Sequence, residues 1–137
     1  MTPRKPITIL QIGGSQPDVA FLQEICTLSD WNPSFAVVRD CPSAYAVVAQ
    51  CSREGAQPPQ LIILDLDAMG RHGHDLLAFI REQPGTAEVP VVVLTDILDA
   101  HERDRSLSLG AASHLLKPTR LDEAERLVRQ LKSYLLV

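Results

Sequence analysis

Three residues of this 137-residue chain have the types and settings for phosphoryl chemistry. Asp65 closes the run Leu61-Ile62-Ile63-Leu64, Thr95 closes Val91-Val92-Val93-Leu94, and Lys117 closes Leu115-Leu116. A carboxylate can attack phosphorus as a nucleophile, while a hydroxyl and an ammonium stabilise the transferred oxygens. The three can cooperate only if the fold gathers them. Their shared position at the ends of apolar runs does this, because the carboxyl ends of parallel strands crowd one edge of a sheet.

The rest of the chain alternates short β-rich runs with helical periods. Ile7–Ile12 predicts a first strand closed by Gly13-Gly14, and Ser15 or Asp18 can cap a helix carrying Val19, Leu22, Ile25 and Cys26. Trp31-Asn32-Pro33 ends that helix. Ser34–Val38 predicts a second strand and Pro42–Cys51 a second helix, with Tyr45, Val48 and Ala49 facing inward. Gly55–Pro59 reads as a polar turn before the third run. Gly70–Gly73 reads as a loop before a helix with Leu76, Leu77, Phe79 and Ile80, which Pro84-Gly85 ends. A fourth strand over Val89–Leu94, a charged helix over Leu98–Leu109 and a fifth strand over Ser113–Leu116 follow. The last helix places Leu121, Ala124, Val128 and Leu131 in register.

Five strands alternating with five helices predict an α/β doubly wound fold. The central runs lack polar alternation, which predicts a parallel sheet covered on both faces. Ligands of such folds bind beyond the carboxyl ends of the strands, near the point where strand order reverses.

Composition narrows the function classes. The length suits one domain over residues 1–137, and no repeat, linker or output domain is visible in it. A net charge of −4 argues against nucleic-acid binding, although Arg126, Arg129 and Lys132 lie along the last helix. No segment has the length of a membrane span or the pattern of a signal peptide, so a cytoplasmic protein is expected. Cys26, Cys41 and Cys51 are odd in number and lack CxxC spacing; they read as reduced thiols rather than a zinc site or a disulfide framework.

Taken in order, Leu61-Ile62-Ile63-Leu64-Asp65-Leu66 with Gly73, Pro90-Val91-Val92-Val93-Leu94-Thr95, and Gly110-Ala111 leading to Leu116-Lys117-Pro118 resemble the receiver domain of two-component response regulators. The resemblance covers nearly the whole chain. It implies a flavodoxin-like receiver architecture and a signalling role in a phosphorelay rather than an enzymatic one. Asp65 would be the phospho-acceptor, Thr95 the switch hydroxyl and Lys117 the phosphate-contacting lysine. His114 would stand where a switch aromatic sits, with core packing or a surface position as the alternative, and a cis peptide bond would precede Pro118. The implied partners are a histidine kinase or phosphotransfer protein, a downstream target protein, and a second copy in a homodimer. The surface around the fourth helix, fifth strand and fifth helix would meet them. Among receivers, Ile9-Leu10 with Pro17-Asp18-Val19, Val37-Val38-Arg39-Asp40 and the tail Leu131–Val137 are most similar to the single-domain type that partners phytochrome-like kinases.

One departure matters most. Receivers carry two acidic residues at the end of the first strand to help bind magnesium, and here both positions are glycine, Gly13 and Gly14. Magnesium prefers hard oxygen ligands in octahedral geometry, so a site reduced to Asp65, with Asp67 or Asp96 as substitutes, is expected to be weak. Asp96 also brings a like charge to an incoming phosphoryl group, worth about 3 kcal/mol at about 5 Å and an effective dielectric near 20. These departures predict a degenerate receiver, with weak or absent magnesium-dependent phosphorylation, that acts through protein contacts. Asp65 and Lys117 then persist as a structural ion pair. Two alternatives compete. In one, Asp67 or Asp96 restores the metal site and full phosphotransfer. In the other, the Gly13-Gly14-Ser15 turn cradles a nucleotide phosphate and Asp40 binds a ribose, although the GxGxxG pattern is incomplete.

Overall fold

A computed structural model describes residues 7–135. Five strands, β1 (Thr8–Ile12), β2 (Ser34–Val38), β3 (Leu61–Asp65), β4 (Val91–Thr95) and β5 (Ser113–Leu116), form one sheet in the order β2-β1-β3-β4-β5. Every neighbouring pair is parallel. The longer helices are α1 (Gln16–Leu28), α2 (Cys41–Gln50), α3 (Gly73–Glu82), α4 (Ala100–Ser108) and α5 (Leu121–Ser133). The chain leaves β1 toward β2 on one side and returns to β3 on the other. Strand order therefore reverses between β1 and β3, and their carboxyl ends border an open crevice.

The period-two alternation of strand side chains divides the core into two layers. Leu10, Ile12, Ile62, Leu64, Val91 and Val93 face α2 and α3, where they meet Ala44, Val48, Leu76, Leu77 and Ile80. Ile9, Leu61, Ile63, Val92 and Leu94 face α1 and α5, where they meet Leu22, Ile25, Cys26, Ala124 and Leu131. All five residues of β3 and of β4 are buried, which accounts for their unbroken apolar runs. Helix starts are set by short polar side chains. Ser15 Oγ accepts from the Asp18 amide at 3.1 Å, Asp40 Oδ1 from Ser43 at 2.8 Å and Asp99 Oδ1 from Glu102 at 3.0 Å.

Helix α4 is attached differently. Its single buried residue is Ser106, and Leu107 remains exposed. The Ser106 hydroxyl lies 3.0 Å from His74 Nε2 on α3 and 2.9 Å from His114 Nδ1 on β5. A buried His–Ser–His chain thus docks a helix that offers no apolar stripe.

Several sequence expectations need correction. The segment after Asp65 is helical, with a short helix over Leu66–Met69 and a 3-10 turn over Gly70–His72, because the Asp65 side chain caps it. Ala49 faces solvent, and Ala44 with Val48 forms the inner stripe of α2. Leu121 is exposed at the first turn of α5, and Leu127 takes the inward position expected of it. Helix α4 starts at Ala100, after Asp99 caps it, so Leu98 precedes it. No cis peptide bond occurs among the described residues, so the bond before Pro118 is trans, the isomer favoured by about 0.5–1 kcal/mol before proline. Residues 136 and 137 of the tail lie outside the described residues.

Candidate functional site

Parallel register brings the ends of β1, β3, β4 and β5 together. Asp65 pairs with Leu94, Thr95 pairs with Leu116, and the Lys117 amide donates to the Thr95 carbonyl at 2.8 Å. Asp65, Thr95 and Lys117 consequently share one edge, as their positions in sequence predict.

Asp65 is 2% exposed, and both of its carboxylate oxygens are engaged. Oδ1 accepts from the Ala68 amide at 3.1 Å, capping the short helix, and Oδ2 lies 2.8 Å from Lys117 Nζ. Lys117 Nζ also lies 3.4 Å from Asp96 Oδ1 and 3.8 Å from Asp67 Oδ2. Burial pulls the Lys117 ammonium toward deprotonation, but the hydrogen bond and charge of Asp65, with Asp96 adding to them, outweigh it and raise its pKa. The lysine is therefore firmly charged, and it is the cation that three carboxylates share.

Asp67 is tied to β4. Thr95 Oγ1 lies 3.1 and 3.3 Å from its two carboxylate oxygens, and the Asp96 amide donates to Oδ2 at 2.6 Å. Thr95 Oγ1 also lies 3.2 Å from the Ile97 carbonyl. Its one proton therefore has acceptors within the protein, in the Asp67 carboxylate and the Ile97 carbonyl. The Asp96 side chain is 65% exposed. Water and Lys117 together screen its charge, so the repulsion expected from the sequence is much reduced.

The glycines at the end of β1 have left-handed backbones, φ +81° at Gly13 and +96° at Gly14. They border Asp65 directly. A Cβ on Gly13 would approach Asp65 Cβ to 3.1 Å. The Gly13 amide is not free, since it donates to the Val38 carbonyl at 2.7 Å, and the Gly14 carbonyl accepts from Arg39 Nη1 at 2.9 Å. A phosphate cradle needs free amides aimed at the ligand. Asp40, the acid assigned to a ribose in that alternative, caps α2 instead.

A divalent cation fits this arrangement poorly. Among the described residues, no three His, Cys, Asp or Glu side chains are placed to hold a metal ion. Asp65 gives one oxygen to a helix cap and the other to Lys117, while Asp67 is bonded to Thr95 and Asp96.

His114, which the resemblance sets at a switch position, and Gln11, which no motif covers, are both buried. His114 is 4% exposed and bonded to Ser106, so it is a core histidine; its Nε2 has no partner among the described residues. Gln11 lies buried in β1, with its Oε1 also unpartnered. The signal for Gln11 was present in the run Ile9-Leu10-Gln11-Ile12, where one polar residue interrupts an apolar strand. For Ser106 no signal exists, because it is one polar residue among many in α4.

Residues 18–129 match the family model of the response regulator receiver domain, a match that begins just past the glycine pair. Response regulator Rcp1 of Synechocystis sp. is 30% identical over 130 residues, covering 94% of this chain and 88% of that protein. The probable methanogenesis regulatory protein FilR2 of Methanothrix harundinacea is 32% identical over 80 residues, 58% of this chain and 52% of that protein. Among solved structures, the Mn(2+)-bound form of Rcp1 superposes with a TM-score of 0.74 at 28% identity, covering 96% of this chain and 95% of that one. The phosphorylated cyanobacterial phytochrome response regulator RcpA superposes at 0.78 with 24% identity, covering 95% and 94%, a likeness of fold.

Proposed function

The chain belongs to the response-regulator receiver family, and on that premise we propose that it is a receiver held in one state by its own Asp65–Lys117 pair. One observation carries this reading. Lys117 Nζ lies 2.8 Å from Asp65 Oδ2, and two glycines stand where the family places its acidic pair. With the acidic pair present, a divalent ion offsets the charge of the carboxylate cluster. Here fewer carboxylates converge, and Lys117 provides the neutralising charge. Removing the acids also removes their mutual repulsion, so the pair needs no metal to persist.

On this reading, output runs through protein contacts rather than through magnesium-dependent phosphorylation at Asp65. The implied partners are a histidine kinase, of the phytochrome-like kind, or a phosphotransfer protein on one side and a target protein on the other. Similarity to the response regulator Rcp1 over most of both chains supports a place in a two-component system. Free thiols at Cys26, Cys41 and Cys51 suit a reducing cytoplasm. No helix among the described residues is long and apolar enough to cross a membrane.

Intact-mass spectrometry after incubation with acetyl phosphate, with and without magnesium, tests the reading against an Asp65→Asn control. No adduct is the expected result. A magnesium-dependent adduct that Asp65→Asn abolishes would restore a working phospho-switch, with Asp67 or Asp96 completing the metal site.

A further inference from the structure

Asp67 sits in the first turn of the short helix over Leu66–Met69, which Asp65 caps. Its carboxylate reaches away from that helix to the end of β4, 28 residues along the chain. There Thr95 Oγ1 donates to its two oxygens at 3.1 and 3.3 Å, and the Asp96 amide donates to Oδ2 at 2.6 Å. Lys117 Nζ lies 3.8 Å from the same Oδ2. A hydroxyl, a backbone amide and an ammonium thus converge on one carboxylate. Such a set of fixed donors replaces the water around an anion. The amide bond is short even for a charged acceptor, which marks this as a strong contact.

The frame that holds these donors does not depend on Asp67. Parallel pairing sets Thr95 against Leu116, and the Lys117 amide donates to the Thr95 carbonyl at 2.8 Å. Asp65 Oδ2 holds Lys117 Nζ from the other side at 2.8 Å. The sheet therefore builds an oxyanion pocket next to Asp65, and the Asp67 carboxylate fills it. Solvent reaches the filled pocket, because the side chains of Asp67 and Asp96 are 39% and 65% exposed. A free ion could enter it if the carboxylate were gone.

From these features we propose that Asp67 is a tethered occupant of this pocket, an internal anion that keeps external oxyanions out. Any oxyanion placed beside Asp65 would need the Thr95 hydroxyl, the Asp96 amide and Lys117, and Asp67 engages all three. The tether lets its carboxylate compete at a high effective concentration, and its charge repels a second anion. The loop after β4 then stands in its anion-bound arrangement with no anion supplied from outside. This occupancy deepens the one-state reading above and rests on it, because it specifies which state is held. A bare structural acid would need no such donor set, and a helix cap would turn to its own helix.

Asp67→Ala removes the carboxylate and keeps Cβ, so formate is the missing piece as a free ion. The test titrates sodium formate into the ¹⁵N-labelled full chain and the variant, read by two-dimensional NMR, with sodium chloride at equal ionic strength as control. The Asp96 amide proton should lie far downfield in the unaltered chain and move upfield in Asp67→Ala. Formate should return it toward its starting position, saturably, in the variant and produce no saturable shift at Thr95 or Asp96 in the unaltered chain. Adding Thr95→Val to the variant should weaken formate about tenfold, the loss of one hydrogen bond to a charged acceptor. If Asp67→Ala does not fold, Asp67→Asn decides, and it should move the Asp96 amide proton upfield. Formate that binds both chains alike or never saturates in the variant, affinity indifferent to Thr95→Val, or an Asp96 proton that neither substitution moves would overturn the proposal. No phosphodonor is involved, so failure here leaves the mass-spectrometric result on Asp65 standing. A magnesium-dependent Asp65 adduct would in turn remove the one-state reading and not the formate result.

Discussion

A Cβ built on Gly14 would stand 3.7 Å from Asp65 Oδ2, whereas one built on Gly13 would stand only 2.8 Å from Ala68 Cβ. The two glycines are therefore not equivalent. A side chain at 14 meets the carboxylate at ordinary contact distance, and one at 13 strikes the helix that Asp65 caps.

Gly14→Asp should fold and gain divalent-cation affinity, at a stability cost of about 1–2 kcal/mol for its left-handed backbone. Gly13→Asp should lose more, because strain and collision add. Water-proton relaxation with Mn²⁺ reads the first outcome and urea denaturation the second. Equal Mn²⁺ affinity in Gly14→Asp and the unaltered chain would sink the argument that the missing carboxylate limits the site.

Lys117→Met should destabilise the fold by about 3 kcal/mol, at the low end for breaking a buried ion pair, because the lysine side chain is 18% exposed. Asp65→Asn should cost less, since the side-chain oxygen can still cap Ala68 while Asp96 and Asp67 retain the ammonium. The double variant should recover about 1–2 kcal/mol relative to the sum of the two. Strict additivity in urea denaturation would mean that the pair is not coupled.

Stability should fall as the medium becomes mildly acidic. Burial lowers the proton affinity of His74 and His114 in the folded chain, against the opposing charge of Glu102 beside both. The unfolded chain then takes up protons first. The contribution is fully present above the ordinary histidine value of about 6.5 and is lost as pH drops below it toward the folded-state values. Urea midpoints at pH 7.5, 6.5 and 5.5 should decline. A His74→Gln, His114→Gln double variant should flatten that decline, and a wild-type midpoint that does not move would refute the assignment.

Ser106→Ala should release α4 selectively. It removes the hydroxyl bridging His74 and His114 and leaves buried ring nitrogens unpaired, at about 1–3 kcal/mol. Hydrogen exchange should accelerate across Ala100–Ser108 with little change in β3 or β4. Uniform acceleration over the whole sheet would instead indicate a global loss.

Much of this molecule was readable before folding. The apolar runs ending in Asp65, Thr95 and Lys117 imply parallel strands with their chemistry at one edge, because only strands buried on both faces have no polar alternation. The five-strand order of elements, the cap at Ser15, and the glycine substitution at the end of β1 all follow from residue types and spacing. They are local or periodic properties, and a linear sequence carries those directly.

Distances between side chains remote in sequence are another matter. Nothing linear says that Lys117 would be shared by Asp65, Asp67 and Asp96, that Thr95 would turn to Asp67, or that Ser106 would join His74 to His114. The segment after Asp65 became helix rather than loop because a buried carboxylate happened to cap it. Gln11 shows the division most plainly. Its sequence context announces a polar residue in the core, but its oxygen is left unpartnered only once α1 and α5 have closed over the sheet. Pairing and burial depend on which elements pack together, and tertiary structure alone decides that.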